Sequence, residues 1–214
     1  MNKLSIAIVD SGLGNSRSVA NAFLALGYED VHVTPHAADL ENASHIVLPG
    51  VGAFGEGMSL LAKKNLSGVL QAQVLARKKP FLGICLGMQL LATSGSEMGQ
   101  YEGLNWIEGR VDRLPLDTAQ YRLPHVGWNE VRVNPSSRLL AGLHSPPQFY
   151  FVHSYHFSPT DPGVIAGTCD YGVEFTAAVE SRNICGVQFH PEKSQRDGLQ
   201  LLNNFIRNFS APES

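Results

Sequence analysis

Phe81-Leu82-Gly83-Ile84-Cys85-Leu86-Gly87-Met88-Gln89-Leu90-Leu91 decides how this chain folds. The apolar run Phe81 to Ile84 predicts a buried strand, and the residues from Leu86 onward predict a helix. Cys85 falls on the sharp turn between them, with a glycine two residues to either side. This is the pattern of a nucleophile elbow with cysteine in place of serine. A nucleophile held in so strained a turn leaves no room for side chains at those two flanking positions, which Gly83 and Gly87 satisfy. A helix starting after Cys85 would aim its dipole and free N–H groups at the sulfur and favour thiolate over thiol. Free cysteines usually pack as small hydrophobes, which is the reading for Cys169 and Cys185. Strand, paired glycines and helix in register set Cys85 apart as reactive.

Upstream of the elbow, short β-rich runs alternate with helical patterns. Leu4 to Val9 predicts a first strand, Ser16 to Leu26 a helix closed by Gly27, and Val31 to Thr34 and Ile46 to Leu48 further strands. That alternation argues for parallel βαβ units. A glycine-rich stretch follows Pro49. A helical run then carries Leu66, Val69, Leu70 and Val74 on one face until Lys79-Pro80 ends it. Downstream the pattern changes to strands joined by Pro, Asn and Ser turns: Trp106 to Leu114, Gly127 to Val133, Gln148 to His153, Val164 to Thr168, Thr176 to Val179 and Ile184 to Phe189. This half is expected to be partly antiparallel. A last helix places Leu199, Leu202, Phe205, Ile206 and Phe209 in one apolar stripe.

The 214 residues, 43% of them hydrophobic, predict one well-buried domain spanning 1–214. A net charge of −3 with scattered Lys and Arg carries no footprint for nucleic acid or an anionic membrane. The opening apolar run is too short for a signal-peptide core, and no run is long enough to span a bilayer. Three cysteines without metal-ligand spacing fit a reducing cytosol. Neither metal nor cofactor is expected.

A thiolate that is acylated and then released needs an acid/base beside it, and eight histidines compete for that role. His190 ends an apolar strand and is followed by Pro191-Glu192. In extended chain, residues i and i+2 face the same side, so Glu192 is expected to hold one ring nitrogen while the other faces Cys85. Pro191 biases His190 toward that extended geometry. A His-Pro-Glu tripeptide alone is more often a surface turn. With the elbow it completes a Cys-His-Glu triad at strand C-terminal ends, where open α/β proteins place their sites. Acyl transfer also needs N–H donors for the developing oxyanion: Leu86 supplies one, and Pro49-Gly50-Val51-Gly52 is the candidate for a second. Asp10-Ser11-Gly12-Leu13-Gly14-Asn15 lacks the full dinucleotide fingerprint and is read as a rim.

The elbow and His190-Pro191-Glu192 resemble those of the class I, or triad, glutamine amidotransferases. Pro49 to Phe54, Pro124 to Asn129, Tyr150 to Tyr155 and Gln188 to Lys193 narrow the resemblance to glutaminase subunits of imidazole glycerol phosphate synthases, over nearly the whole chain. The resemblance implies a flavodoxin-like, three-layer α/β fold with a mixed, mainly parallel central sheet flanked by helices and an added antiparallel portion. It implies a glutaminase that forms a Cys85 thioester and sends ammonia to a cyclase subunit, a (β/α)8 barrel, in histidine biosynthesis. Gly52, Gln89 and Glu97, with Ser154 and Tyr155 nearby, match glutamine-contacting positions. Val51 matches the oxyanion strand whose peptide must reorient for activity. Asn15, His125, Trp128, Tyr150 and Lys193 match positions facing the cyclase. The residues before Gly14-Asn15 depart from the family pattern, as does His156, but neither departure touches the triad.

No phosphate loop and no second domain stand ready for an ammonia acceptor, so the synthase site is expected on a partner. An isolated chain that hydrolysed glutamine freely would waste it; low basal activity, raised when a partner sets the oxyanion strand, is the corresponding expectation. Three other readings stay open at this level: an amidotransferase serving another synthase, for instance in surface-polysaccharide sugar synthesis; a non-catalytic interaction subunit; and a different cysteine hydrolase.

Overall fold

The computed structural model describes residues 4–117 and 119–210. Its first half runs β1 (Ile6–Val9), α1 (Ser16–Ala25), β2 (Val31–Thr34), α2 (Ala37–Asn42), β3 (His45–Gly50), α3 (Phe54–Lys63), α4 (Leu66–Gln71) with a π turn over Ala72–Ala76, β4 (Phe81–Cys85) and α5 (Leu86–Gln89). The second half is strand-rich: β5 (Ser94–Gly95), β6 (Tyr101–Glu102), β7 (Gly109–Arg113), β8 (His125–Glu130), β9 (Arg132–Val133), β10 (Gln148–His153), β11 (Tyr155–Pro159), β12 (Ile165–Asp170), β13 (Glu174–Ser181) and β14 (Ile184–Val187), closed by α6 (Gln195–Asn208).

Eight strands form the central sheet in the order β2-β1-β3-β4-β14-β13-β12-β9. The pairings from β2 through β14 are parallel and those from β14 to β9 antiparallel. Strands β1, β3, β4 and β14 are buried along their whole length, as near-continuous apolar runs must be when helices cover both faces. Strand alternation divides the core: Ile6, Ile8, Val47 and Leu82 pack with Phe23 of α1 and Leu202 and Phe205 of α6. On the other side Ala7, Val9, Ile46 and Leu48 pack with Leu40, Phe54, Leu61 and Met88. Three layers result, helices either side of a mixed, mainly parallel sheet. The antiparallel remainder is a two-stranded ribbon, β10-β8, and a small sheet, β11-β7-β5-β6.

Several elements differ from their sequence expectation for identifiable reasons. The sequence places the helical run after Pro49 around Leu66 to Val74, yet an earlier helix, α3, already begins at Phe54 within the glycine-rich stretch. Its glycines sit at close approaches: a Cβ on Gly57 would meet Leu86 Cδ2 at 3.1 Å, and one on Gly55 the Tyr101 ring at 2.6 Å. The strand expected over Trp106 to Leu114 begins only at Gly109, because Trp106 and Ile107 both donate to Leu91 O in a turn. Trp106 there packs edge-on against Phe81, ring centroids 5.0 Å apart. Gly127 to Val133, expected as one strand, splits around buried Val131 into β8 and β9, which belong to different sheets.

The tightest backbone crossing lies where α5 leaves the sheet. A Cβ on Gly87 would stand 1.8 Å from Leu48 O, and one on Gly83 would stand 2.4 Å from Gly87 O. Backbone atoms on both sides cannot yield, so Gly87→Ala is expected to cost about 3 kcal/mol or more. Gly27→Ala, whose Cβ meets nothing within 4 Å at a φ of 88°, should cost only about 1–2 kcal/mol for its left-handed conformation. Urea denaturation of both variants checks the order.

Candidate active site

Cys85 ends β4 with φ 54° and ψ −109°, a conformation few L-residues adopt. Register holds it there. Cys85 is paired with Gly50 of β3, and Gly83 is flanked by Leu48 and Gly186 in the neighbouring strands. Gly83, Gly87 and Gly186 together make the space in which α5 crosses back over the sheet, since a Cβ on Gly186 would press Met88 Cγ at 2.8 Å. The helix after the elbow is shorter than the sequence suggests, four residues in all. What faces the sulfur is therefore the free N–H groups of one turn, not a long helix dipole.

His190 is fixed through its backbone. Its N–H donates to Tyr150 O at 2.9 Å, and its carbonyl accepts from Ser194 Oγ at 2.6 Å; Ser194 Oγ in turn accepts from Tyr150 N. Glu192 does not lie in extended chain as expected. Pro191–Lys193 form a 3-10 turn, for which Pro191 supplies the first position. The turn still brings Glu192 back under its neighbour, with Oε1 2.8 Å from His190 Nδ1 and both side chains almost fully buried. Burial opposes charge on the ring, but the Cys85 sulfur and the Glu192 carboxylate outweigh it, and the His190 pKa is pushed up to about 9. Nε2, the nitrogen not held by Glu192, meets no partner with full hydrogen-bond geometry, yet the Cys85 sulfur raises the ring pKa first as a hydrogen-bonding neighbour and then by its charge. Such looseness is common before substrate arrives.

A cavity of about 210 Å³ ends on the sulfur, its walls formed by Val51, Gly52, Cys85, Leu86, Gln89, Glu97 and the segment Val152–Tyr155. It brings together every residue expected to touch glutamine or its oxyanion. At that size it suits a ligand smaller than the drug-like molecules of ~300–1,000 Å³ pockets. Two wider concavities, about 490 and 660 Å³, lie along the 129–147 segment and beside Trp128 and Arg196, and neither contains Cys85 or His190. Glu97 also accepts from Phe54 N at 3.0 Å, tying the cavity to the start of α3. Sequence reasoning missed Val152, His153 and Gln188. Gln188, wholly buried, lies two residues before His190, and that spacing was the signal that could have exposed it.

Of the five residues expected at a partner face, Trp128 is 47% exposed, and Asn15 and Lys193 are exposed. Tyr150, half-buried, pairs with Trp128 across the ribbon and lies under the Lys193 ammonium, 5.7 Å from the ring centre. The expectation for His125 is corrected. It is 2% exposed, because β8 alternates: Val126 and Trp128 point outward while His125 points in and stacks on Tyr171 with centroids 4.0 Å apart. His125 Nδ1 lies 3.2 Å from His153 Nε2, and burial pushes their pKa values down to about 4 and about 3.

Comparison with known proteins gives one direction. The family model described as "Glutamine amidotransferase class-I" matches residues 7–209. The imidazole glycerol phosphate synthase subunit HisH of Moorella thermoacetica is 46% identical over 200 residues, covering 94% of this chain and 93% of that protein. The subunit HisH of Methanothermobacter thermautotrophicus is 48% identical over 201 residues, covering 94% and 97%. A crystal structure of a glutamine amidotransferase superposes with TM-score 0.72 at 19% identity, covering 94% of this chain and 98% of the other. The structure of PurLQS from Thermotoga maritima gives TM-score 0.72 at 17% identity, covering 96% and 99%. At such identities these two structures speak for the fold alone.

The raised His190 pKa has a definite sign in stability. The folded state favours the charged ring, so the contribution is complete below the ordinary value of 6.5 and is lost as pH rises through about 9. Glu192→Gln should lower the His190 titration midpoint in NMR, and the loss of stability across that window should shrink. An unmoved midpoint would mean the carboxylate does not hold the ring.

Proposed function

This chain belongs to the class I glutamine amidotransferase family, and within it to the imidazole glycerol phosphate synthase HisH subunits; we propose how its residues perform and regulate that work. It is a glutaminase, hydrolysing glutamine to glutamate and ammonia in histidine biosynthesis. One observation carries the assignment of roles: the small cavity ends on Cys85, with the charged His190–Glu192 pair beside it.

Cys85, His190 and Glu192 act as the triad. With the Cys85 proton already carried on the charged His190 ring, the thiolate attacks the side-chain amide carbon of glutamine. As the C–N bond breaks, His190 gives that proton to the leaving nitrogen, which departs as ammonia. Water then loses a proton to His190 while its oxygen attacks the thioester carbon. The C–S bond breaks, the proton returns to sulfur, and glutamate leaves. Glu192 keeps the ring oriented and stabilises its positive charge. The Val51 and Leu86 N–H groups receive the oxyanion, each such donor being worth about 3 kcal/mol. Gly52, Gln89, Glu97, Ser154 and Tyr155 hold the amino acid.

The ammonia passes to a cyclase subunit, a (β/α)8 barrel, seated on the face that carries Asn15, Trp128, Tyr150 and Lys193. An exposed Trp beside a Tyr that carries a cation is the composition of an interface anchor. The chain acts as one glutamine amidotransferase domain, supported by a core cluster that joins residues from Ile6 to Phe209. Among the described residues no helix is long and apolar enough to cross a membrane, and the site of action is the cytoplasm. Activity is gated by the partner through the oxyanion strand. Gly14, in the loop that ends at Asn15, approaches Gly50 so closely that a Cβ would meet Gly50 Cα at 3.3 Å, which gives a partner bound near Asn15 a short route to Val51.

Ammonia release from glutamine should be slow for the chain alone and rise strongly with the cyclase and its ribonucleotide ligand. Cys85→Ala should abolish it while leaving folding and complex formation intact; unchanged release would sink the mechanism, and fast release by the chain alone would sink the gating. Trp128→Ala should weaken the complex about 10- to 100-fold by calorimetry, without altering the fold.

A further inference from the structure

The interior of the site contains a hydrogen-bond chain whose polarity is set from one end. Tyr155 O is a backbone carbonyl and can only accept. Gln89 places an amide atom 3.0 Å from it, so that atom is the nitrogen Nε2. The same NH2 group lies 3.0 Å from the side-chain amide of Gln188, which must turn its oxygen, Oε1, to meet it. Gln188 Nε2 is left pointing the other way, 3.7 Å from Cys85 Sγ. Reversing Gln188 would set N–H against N–H at Gln89 and oxygen against sulfur at Cys85. Gln188 is 0% exposed and Gln89 4%, so water is not at hand to repair either clash.

The backbone agrees with this orientation. Val187 pairs with Ile84, so the next step of the parallel register sets Gln188 beside Cys85. Gln188 N continues the ladder by donating to Ala177 O at 2.8 Å. Resting on the glutaminase reading above, we propose that Gln188 is a further functional residue of that reaction: its side-chain N–H holds and stabilises the Cys85 thiolate, and its oxygen fixes the Gln89 amide at the cavity wall. A thiolate accepts this bond better than a thiol does, because charge strengthens it. His190 and Gln188, two residues apart just past the end of β14, thus divide the work. His190 takes the proton, and Gln188 steadies the sulfur that has lost it.

The test is the pH dependence of Cys85 alkylation by iodoacetamide without glutamine, followed by peptide mass mapping, with Cys85→Ala as the blank. Gln188→Met keeps the length and apolar volume of the side chain but cannot donate. At neutral pH its alkylation should be about 5- to 10-fold slower than wild type, with the two rates converging at alkaline pH where the thiolate is complete. Superimposable pH profiles would overturn the proposal. If Gln188→Met fails to fold, the wild-type chain decides by NMR: the Gln188 side-chain amide resonances should titrate with Cys85 and stop doing so in Cys85→Ala, and an unchanged titration in that variant would overturn it equally. Alkylation needs no glutamine turnover, so a failed glutaminase assay and a failed Gln188 result are separate outcomes.

Discussion

The oxygen of Leu48 occupies the place where residue 87 would carry a Cβ, and most of the site is arranged around that contact. Because α5 crosses β3 at this distance, the chain must turn within one residue of the end of β4. That residue is Cys85, which takes a φ of 54° that its side chain disfavours. Strain of this kind costs of the order of 1–3 kcal/mol and persists only where the surroundings leave no alternative. Here the surroundings are the parallel pairings of β4 with β3 and β14 and the glycines at 83, 87 and 186. The sulfur is presented to the cavity because the sheet beneath it is fully buried and does not give.

Histidines of opposite character stand close together around this sulfur. His190 is pushed up to about 9 and His153 down to about 3, and the ring of one bears electrostatically on the other. Both are buried; the difference is in their partners. His190 has a carboxylate on one nitrogen and a sulfur near the ring. His153 donates from Nδ1 to Tyr155 O and turns Nε2 to the neutral His125. The site therefore confines positive charge to the ring of His190, while His153 in the cavity wall stays neutral across the physiological range.

How much of this could be read from residues alone follows from what each residue must satisfy locally. The apolar runs of β1, β3 and β4 and the elbow were legible because burial on both faces and a strand-to-helix turn leave strong composition marks. The cavity residues were legible through the family resemblance. Helix α3 was not, because Gly55 and Gly57 speak for a loop until Leu86 and Tyr101 are known to press on them. Nor was the splitting of β8 from β9, since the burial of Val131 depends on the sheets it joins. The inward turn of His125 was hidden for the same reason: strand parity says that neighbours point to opposite sides, but not which side is solvent. The Glu192 turn and the part played by Gln188 are properties of geometry at the level of single atoms, which spacing cannot carry.

The β8-β10 ribbon forms no ladder with the central sheet. Its outer surface carries Trp128, its cross-strand neighbour Tyr150 offers the carbonyl that holds the His190 N–H, and three residues on, His153 belongs to the cavity wall. Mechanically the ribbon is a beam fastened at its middle to His190 and joined to the plate behind it by side-chain packing, Phe149 on Phe189 and Phe151 on Phe175, in place of strand pairing. A load applied at Trp128 reaches the Tyr150–His190 bond across a single strand pairing, whereas Cys85 sits at the end of a strand paired on both sides.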